Sequence, residues 1–304
     1  FIDYVREEAP DGPRKNSQTE NLGFFINNRW LLTDKTLLQL GYRGNRYEGR
    51  FRTDQLVSFS EGKRWVNGEE EDKDWYNDAW DLGITYAYSK QFNLFASCAT
   101  SFRIPNVDEL AESIDGLKPQ KGLHLDAGGR FGFMDKMEIT VTLFNLVIED
   151  EIYYSEVNRN YEDSTVRRGI ETDLRYQMTG SFYLWGNYTY TNARFEGTDA
   201  EVPLVPENMA SAGMEWRVFK PMKLFLNGTL VGERYDGNDI DNTTYEKLDP
   251  YLVCNTRATY QYRGFKLFAG VNNMFDEMYS TVAYSEAYYP MPGRNYYAGV
   301  SWSM

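Results

Sequence analysis

The sequence has little of the material that helical membrane anchors, zinc sites or disulfide scaffolds require. No stretch of the 304 residues approaches the roughly 18 consecutive apolar residues of a membrane-spanning helix. The one histidine, His124, leaves no material for a histidine-based catalytic or metal site. The two cysteines, Cys98 and Cys254, make neither a disulfide framework nor a zinc site. We therefore expect no resident cofactor built on these residues.

The chain also has too few basic residues to bind nucleic acid. The chain has 32 Lys and Arg against 45 Asp and Glu, a net charge of −13, whereas phosphate binding needs clustered Lys and Arg. No Gly-x-Ser-x-Gly, phosphate-binding loop or zinc spacing is present. The carboxylate pairs in residues 148–154 are expected by chance in so acidic a chain. We expect neither a nucleic-acid partner nor an enzyme.

Aromatic side chains are abundant instead, with 24 Tyr, 18 Phe and 7 Trp. Tyr and Trp favour positions that have one wet and one apolar side. A mean hydropathy of −0.60 would by itself indicate a soluble protein, so these aromatics need another explanation.

Alternation of apolar and polar residues supplies that explanation. In residues 80–89, 165–178 and 181–191 the even positions are mostly apolar and the odd positions mostly small or polar; Arg168 and Thr172 are the exceptions. The predicted strands are about 10 to 15 residues long, longer than the usual 5 to 6 of globular strands and close to the 9 to 11 of membrane barrels. Only every second residue would meet lipid.

The connections alternate between short and long. The short turns are Thr33–Thr36, Ser89–Gln91, Met134–Lys136, Thr179–Gly180, Lys220–Lys223 and Arg263–Gly264, and the long polar stretches are 53–74, 102–118, 154–163, 195–206, 235–248 and 276–292. This pattern is typical of a bacterial outer-membrane barrel, with tight periplasmic turns and large outer loops. It predicts an all-β, transmembrane antiparallel barrel wall of about 14 strands, with long loops outside and the C-terminus in the periplasm.

Seven segments resemble the C-terminal part of the barrel of a TonB-dependent outer-membrane receptor. They are ATSFRIPNVDEL (99–110), GLKPQKGLHLDAGGRF (116–131), VTLFNLVIEDEIYY (141–154), VRRGIETDLRY (166–176), VPLVPENMASAGMEW (202–216), VNNMFDEMY (271–279) and YYPMPGRNYYAGVSWSM (288–304). Their order and spacing cover nearly the whole chain. The sequence departs from the pattern at Gln120 and Asp126, where the family has Glu, at Asn208, where His is common, and at Met304, where the last residue is aromatic.

The resemblance implies that residues 1–304 form the C-terminal portion of a barrel of about 22 strands, without the plug domain. The implied function is energised uptake of a scarce solute, such as siderophore-bound iron, cobalamin or a similar chelate. The implied partners are the plug domain and remaining strands (on an upstream segment or a separate chain), TonB acting through the plug, and outer-membrane lipid with lipopolysaccharide. The main alternative is a transport-inactive scaffold within a multi-protein outer-membrane complex, and a passive channel is a lesser one.

Six residues are candidates for contact with the solute. Arg103 and Asn106 flank Pro105, where an inward-bending loop would present them; the structural alternative pairs Arg103 with a carboxylate at a strand end. The other candidates are aromatic residues of the long loops, which would stack on a ring or chelate or anchor the barrel rim: Trp65, Tyr284, Tyr288 and Tyr289.

Polar residues of the strands that would face the lumen are candidates for plug contacts. They are Arg167, Glu171, Asp173, Arg175, Asn255 and Arg257. The acidic loop GEEEDKD (68–74) has the oxygen ligands that suit a loop-bound Ca²⁺, and a solvated loop is the simpler alternative. The segment DGNDID (236–241) lacks the Gly and Glu spacing of an EF-hand. We predict no dedicated metal site.

Overall fold

The computed structural model describes residues 2–8, 14–111, 113, 116–155 and 157–302. Within these residues the chain is almost entirely extended. The strands are β1 (Ile2–Glu8), β2 (Arg14–Thr33), β3 (Thr36–Phe59), β4 (Gly62–Val66), β5 (Glu70–Ala87), β6 (Phe92–Arg103), β7 (Gln120–Phe133), β8 (Met137–Glu149), β9 (Ile152–Ser155), β10 (Val157–Asn160), β11 (Thr165–Thr179), β12 (Phe182–Phe195), β13 (Asn208–Phe219), β14 (Met222–Val231), β15 (Tyr251–Tyr262), β16 (Phe265–Asn272), β17 (Ser280–Tyr284), β18 (Ala287–Pro290) and β19 (Asn295–Trp302).

The helix α1 (Val107–Ala111) lies between β6 and β7. Across the described parts of the chain, no helix is long and apolar enough to cross a membrane.

The main sheet is an antiparallel meander in chain order. Its path is β1-β2-β3-β5-β6-β7-β8-β11-β12-β13-β14-β15-β16-β19, with β4 added beside β3. The prediction of about 14 strands in an all-β wall is confirmed, and the opening segment is the strand β1. The predicted departure at Met304 lies outside the described residues.

Within the main sheet from β2 to β19, the six short connections between neighbouring strands lie at one end and the six long ones at the other. The long connections contain elements of their own, namely α1 and the hairpins β9–β10 and β17–β18. We call these long connections, together with the strand ends that they cover, the outer layer.

One expected loop is mostly strand. Residues 53–74 were expected as a polar loop, but β3 and β5 extend through most of it and reach 24 and 18 residues. Cross-strand ion pairs hold the extension, with Arg50 Nε 3.7 Å from Asp72 Oδ1 and Arg46 Nη2 3.4 Å from Asp74 Oδ2. Opposite charges on facing strands stabilise the ladder, which a rule equating polar with loop does not anticipate.

The pairing register places apolar residues of neighbouring strands opposite one another. Leu40 lies opposite Leu82, which lies opposite Cys98, and Cys98 lies opposite Leu125. This apolar face is unusually open, since Leu143 is 58% exposed. An exposed face of large apolar residues on every strand is typical of a surface that meets lipid.

A buried core lies in the outer layer, where the ends of two sheet strands meet the long connections. Tyr47, Phe51, Leu110 and Leu117 form a buried cluster, against which Trp75, Ile104, Val107 and Ile152 pack. These residues come from β3, β5, α1 and the segments beside them, so the cluster joins distant parts of the chain above the wall.

Candidate functional site

The polar face of the wall carries two carboxylates without a side-chain partner. Glu171 and Asp173 are both exposed on β11. Within the described residues, neither carboxylate makes a side-chain hydrogen bond or ion pair. Because both carboxylates are exposed and unpaired, these two positions are open to a cation or donor from another segment.

Arg167, from the same strand, is engaged by the outer layer. Its Nη2 lies 2.7 Å from Glu151 Oε1, and its Nη1 donates to Glu151 Oε2 at 3.1 Å and to Thr165 Oγ1 at 2.7 Å. The Thr165 hydroxyl donates to the same carboxylate. The ion pair is largely buried, so Arg167 fixes the segment 150–164 to the wall. Its contact with a plug stays a prediction.

The other predicted wall contacts differ in how firmly they are held. The Nη1 of Arg175 lies 3.9 Å from Glu138 Oε1, a loose pair between exposed groups. The Oδ1 of Asn255 accepts the backbone N–H of Asn273 at 3.0 Å. The guanidinium of Arg257 lies 4.7 Å from the centre of the Phe268 ring.

Arg257 lines a cavity of about 560 Å³ on the polar face of β13 to β16 and β19, together with Lys223, Asn255, Lys266 and Tyr297. The Nε of Arg257 is buried and has no hydrogen-bond partner within the described residues. A buried N–H without an acceptor costs about 1–3 kcal/mol. The cavity is thus suited to an acceptor, above all a carboxylate.

Arg103 and Asn106 build the start of α1. The backbone N–H of Glu109 donates to Asn106 Oδ1 and that of Asn106 to Glu109 Oε2, both at 2.8 Å, which is a reciprocal helix cap. Arg103 Nη1 lies 2.9 Å from both oxygens of Glu109, and its Nε donates to Gln120 Oε1 at 3.0 Å. The geometry is that of the structural alternative, and the solute contacts of both residues stay predictions.

Three of the four aromatic candidates share the hairpin β17–β18. The rings of Tyr284 and Tyr289 meet edge to face at 6.2 Å, and Tyr288 and Tyr289 are 53% and 57% exposed. Burial raises the pKa of Tyr284. Its ring leaves room only for glycine at Gly237, where a Cβ would lie 2.4 Å from it. Trp65 lies on a different hairpin, β3–β4, where the guanidinium of Arg14 is 4.2 Å from its ring.

A second cavity, of about 530 Å³, lies in the outer layer beside this hairpin. Its lining includes Tyr251, Tyr279, Tyr288, Met291 and the acid Asp249. The rings of Tyr251 and Tyr279 are 4.5 Å apart. Their planes are tilted by 40°, and the second acid Glu277 also lines the cavity. Aromatic rings beside a few polar groups in a concave pocket are typical of a site for a small organic ligand.

The two acidic segments proved to be differently organised. In 236–241, the carboxylate of Asp236 accepts the N–H groups of Asn238, Ser285 and Glu286 at 2.8 to 3.1 Å. That of Asp239 accepts three N–H groups, from Thr243, Thr244 and Tyr245. In 68–74, the Lys73 ammonium lies 3.2 Å from Glu71 Oε2. Within the described residues, no group of three or more His, Cys, Asp or Glu is arranged for a metal. A loop-bound Ca²⁺ stays a prediction.

Two polar residues of the outer layer, the buried Arg234 and the partly buried Tyr161, were not among the sequence candidates. Arg234 is 2% exposed, and its guanidinium donates to the carbonyl oxygens of Gly232, Ser280 and Thr281. Tyr161 stacks on Tyr153 at 4.1 Å, and burial, then the charge of Glu151, raises its pKa. No local pattern marks either residue, because their partners come from distant segments.

Comparison with known proteins then settles the family. The model of the TonB dependent receptor-like β-barrel matches residues 2–274. The chain belongs to this family. The wall described above is therefore part of a TonB-dependent receptor barrel, and its polar face is the lumen face.

Individual relatives agree with this assignment. The chain is 24% identical over 296 residues to the ferrichrome outer membrane transporter/phage receptor of Escherichia coli K12, covering 90% of this chain and 37% of that protein. It is 26% identical over 296 residues to an uncharacterized TonB-dependent receptor of Haemophilus influenzae, covering 91% and 83%. It resembles the closed form of the ferric-catecholate import receptor Fiu of E. coli K12 with a TM-score of 0.79 and 20% identity, covering 95% of this chain and 45% of that one.

The receptor chain thus spans less than half the length of the ferrichrome transporter and of Fiu. The likeness to Fiu concerns the fold, because the identity is low.

Proposed function

We propose that this chain forms the barrel wall and part of the outer vestibule of an energised importer for a metal chelate. The observation that carries the proposal is the two-part build of the molecule. A family-typical wall with an exposed apolar face stands below an outer layer with an aromatic cavity. The ferrichrome and ferric-catecholate names of two relatives support a siderophore-type iron chelate as solute, and cobalamin is the next candidate. No observation favours the scaffold alternative.

The lumen face is the proposed seat of a plug. Glu171 and Asp173 offer unpaired carboxylates on β11, and Arg257 offers a guanidinium with a free Nε in the cavity of β13 to β16 and β19. A plug that fits this wall carries cations toward the first site and a carboxylate toward the second. Through that plug, TonB would couple inner-membrane energy to release of the solute.

Solute capture is assigned to the outer layer. Tyr288 and Tyr289 present exposed rings and Tyr251 and Tyr279 line the cavity beside them, so a chelate with an aromatic or flat ligand would stack here. Trp65, Arg103 and Asn106 stand in other parts of the outer layer and contribute in this proposal only where the solute reaches them. The long loops face outside, and the apolar face meets membrane lipid, including lipopolysaccharide.

The test is uptake of radiolabelled iron chelates and cobalamin by cells whose receptor carries this chain, with and without TonB. The proposal expects saturable uptake of at least one chelate that is lost without TonB. Uptake that persists without TonB would indicate a passive channel. Receptor that folds and takes up none of the tested solutes would contradict an importer of this class.

A matched pair of tyrosines locates the capture site. Tyr289→Ala removes a 57% exposed ring of the outer layer, and Tyr88→Ala removes a 64% exposed ring at the short-turn end. The half-saturation concentration should rise about fivefold or more for Tyr289→Ala, the effect of about 1 kcal/mol of stacking. The half-saturation concentration should not change for Tyr88→Ala. An equal rise in both variants would show that the hairpin β17–β18 is not part of the capture site.

A further inference from the structure

The apolar face of the wall contains one row of polar residues that the proposed function leaves unexplained. Arg168 alternates with Val166, Ile170 and Leu174 and so lies on the apolar face. The register places Asn145 of β8 on one side of it and Asn192 of β12 on the other.

The guanidinium of Arg168 is held in a defined orientation. Its Nε donates to Asn145 Oδ1 at 2.9 Å, and the side chain is exposed. Its two Nη groups have no protein acceptor within the described residues. With Nε fixed to the wall, the two Nη groups remain for an acceptor outside the protein, and a planar fork of this kind fits a phosphate bidentately.

The height of Arg168 on the wall matches the outer membrane boundary. Tyr176 and Trp216 lie on the apolar face near the short turns, where an outer-membrane barrel carries an aromatic girdle, and Arg168 lies eight residues along β11 from Tyr176. At about 3.3 Å per residue and a tilt near 40°, this is roughly 20 Å above the belt, close to the outer edge of an apolar band about 25 Å tall. An arginine at mid-depth would cost about 2–4 kcal/mol, and at this height almost nothing.

An apolar groove lies on the same face, beginning four residues below Arg168 on β11. Its volume is about 490 Å³, and its lining is almost wholly apolar. The walls include Leu174, Tyr188 and Leu230, and the register aligns Gly186, Ala212 and Gly228 along the floor. Two glycines and one alanine on three adjacent strands leave a shallow depression that suits a hydrocarbon chain.

We propose that this part of the wall is a binding site for a phosphate-bearing lipid of the outer leaflet, the lipid A part of lipopolysaccharide. Arg168, oriented by Asn145, binds a headgroup phosphate, and one acyl chain lies in the groove. Charge complementarity identifies the headgroup, and the groove that begins four residues below Arg168 on the same face identifies a lipid rather than free phosphate as the source. The inference rests on the outer-membrane placement in the proposed function but does not depend on which solute is carried.

The experiment is native mass spectrometry of the intact, delipidated receptor with added lipid A. Wild-type receptor should bind bisphosphorylated lipid A more tightly than lipid A whose phosphates have been removed. Arg168→Gln should weaken binding of the phosphorylated form about tenfold, the worth of one charge-assisted contact, and leave the dephosphorylated form unchanged. Arg168→Lys, which keeps the charge and loses the fork, should fall between.

Two further variants separate headgroup from chain. Arg217→Gln removes an exposed arginine of the lumen face and should leave the binding of both phosphorylated and dephosphorylated lipid A unchanged. Ala212→Phe fills the groove and should weaken the binding of both forms of lipid A by the same factor. Folding of each variant is checked by its heat-dependent gel mobility.

Equal binding of phosphorylated lipid A by wild type and Arg168→Gln would overturn the proposal. Full competition by inorganic phosphate, or equal binding of phosphatidylglycerol, would overturn its assignment to lipid A. Because lipid binding and chelate uptake are measured separately, a failure here leaves the uptake result standing.

Discussion

The wall and the outer layer of this receptor are built on opposite principles. In the wall, pairing between neighbouring strands fixes the register while many side chains point outward, as Leu143 with 58% exposure illustrates. In the outer layer, Tyr47, Phe51, Leu110 and Leu117 form a buried core, and Arg234, Asp236 and Asp239 are buried with their hydrogen bonds made internally. The two faces of the wall are therefore left largely open by this chain, whereas the outer layer carries its own interior.

Loss of Arg234 should give the largest effect and confine it to the outer layer. Arg234→Met leaves the carbonyl oxygens of Gly232, Ser280 and Thr281 without their hydrogen-bond donor. It should weaken the docking of the last two long loops, 232–250 and 273–294, by about 3 kcal/mol or more. Limited proteolysis should cut 232–250 and 273–294, while heat-dependent gel mobility of the barrel persists. Arg217→Met is the exposed control. Simultaneous loss of the barrel would show that the two regions are not separate.

A methyl group at Gly169 should give the converse result in the wall. A Cβ there would lie 1.9 Å from the Tyr190 carbonyl oxygen and 2.6 Å from the Phe144 ring, so Gly169→Ala should destabilise the barrel by about 2 kcal/mol. The control is Gly83→Ala, where the nearest atom is 3.8 Å away. Urea unfolding in lipid vesicles measures both, and equal midpoints would contradict the close packing of β11 against β12.

Neutralising Asp239 should loosen one loop by a smaller amount. Asp239→Asn replaces a carboxylate that accepts three N–H groups and should cost about 1–2 kcal/mol of loop stability. Faster hydrogen exchange at Thr243, Thr244 and Tyr245 is the measurement. The exposed Asp199→Asn provides the control, and unchanged exchange in Asp239→Asn would show that the turn holds without the charge.

Tyr161 should affect the outer layer only at alkaline pH. Its pKa is raised by burial, so the unfolded layer loses this proton at a lower pH than the folded one. The stabilising contribution is complete below the ordinary tyrosine pKa of about 10 and is lost as pH rises above it. Tyr161→Phe should flatten the decline in outer-layer stability above pH 10, measured by protease resistance. The same decline in the variant would contradict the assignment.

Sequence patterns predicted the wall far better than the outer layer, for a physical reason. Alternation is a local consequence of a strand with two different surroundings, so the strands, the turns and the exceptional Arg168 were all visible in the sequence. Tyr161 and Arg234 have partners on segments far away in the chain, and no local pattern records such contacts. The extension of β3 and β5 was missed because cross-strand charge pairs, rather than apolar alternation, support it.

The two faces of the wall can be tested most directly with one nitroxide label at Thr142 and one at Leu143. These neighbours on β8 point to opposite faces. Collision of each label with oxygen, which dissolves in lipid, and with a water-soluble nickel chelate is measured in the receptor in vesicles. The account predicts dominant oxygen collisions at Leu143 and no oxygen preference at Thr142. Equal oxygen preference at both positions would contradict a wall with one lipid face and one lumen face.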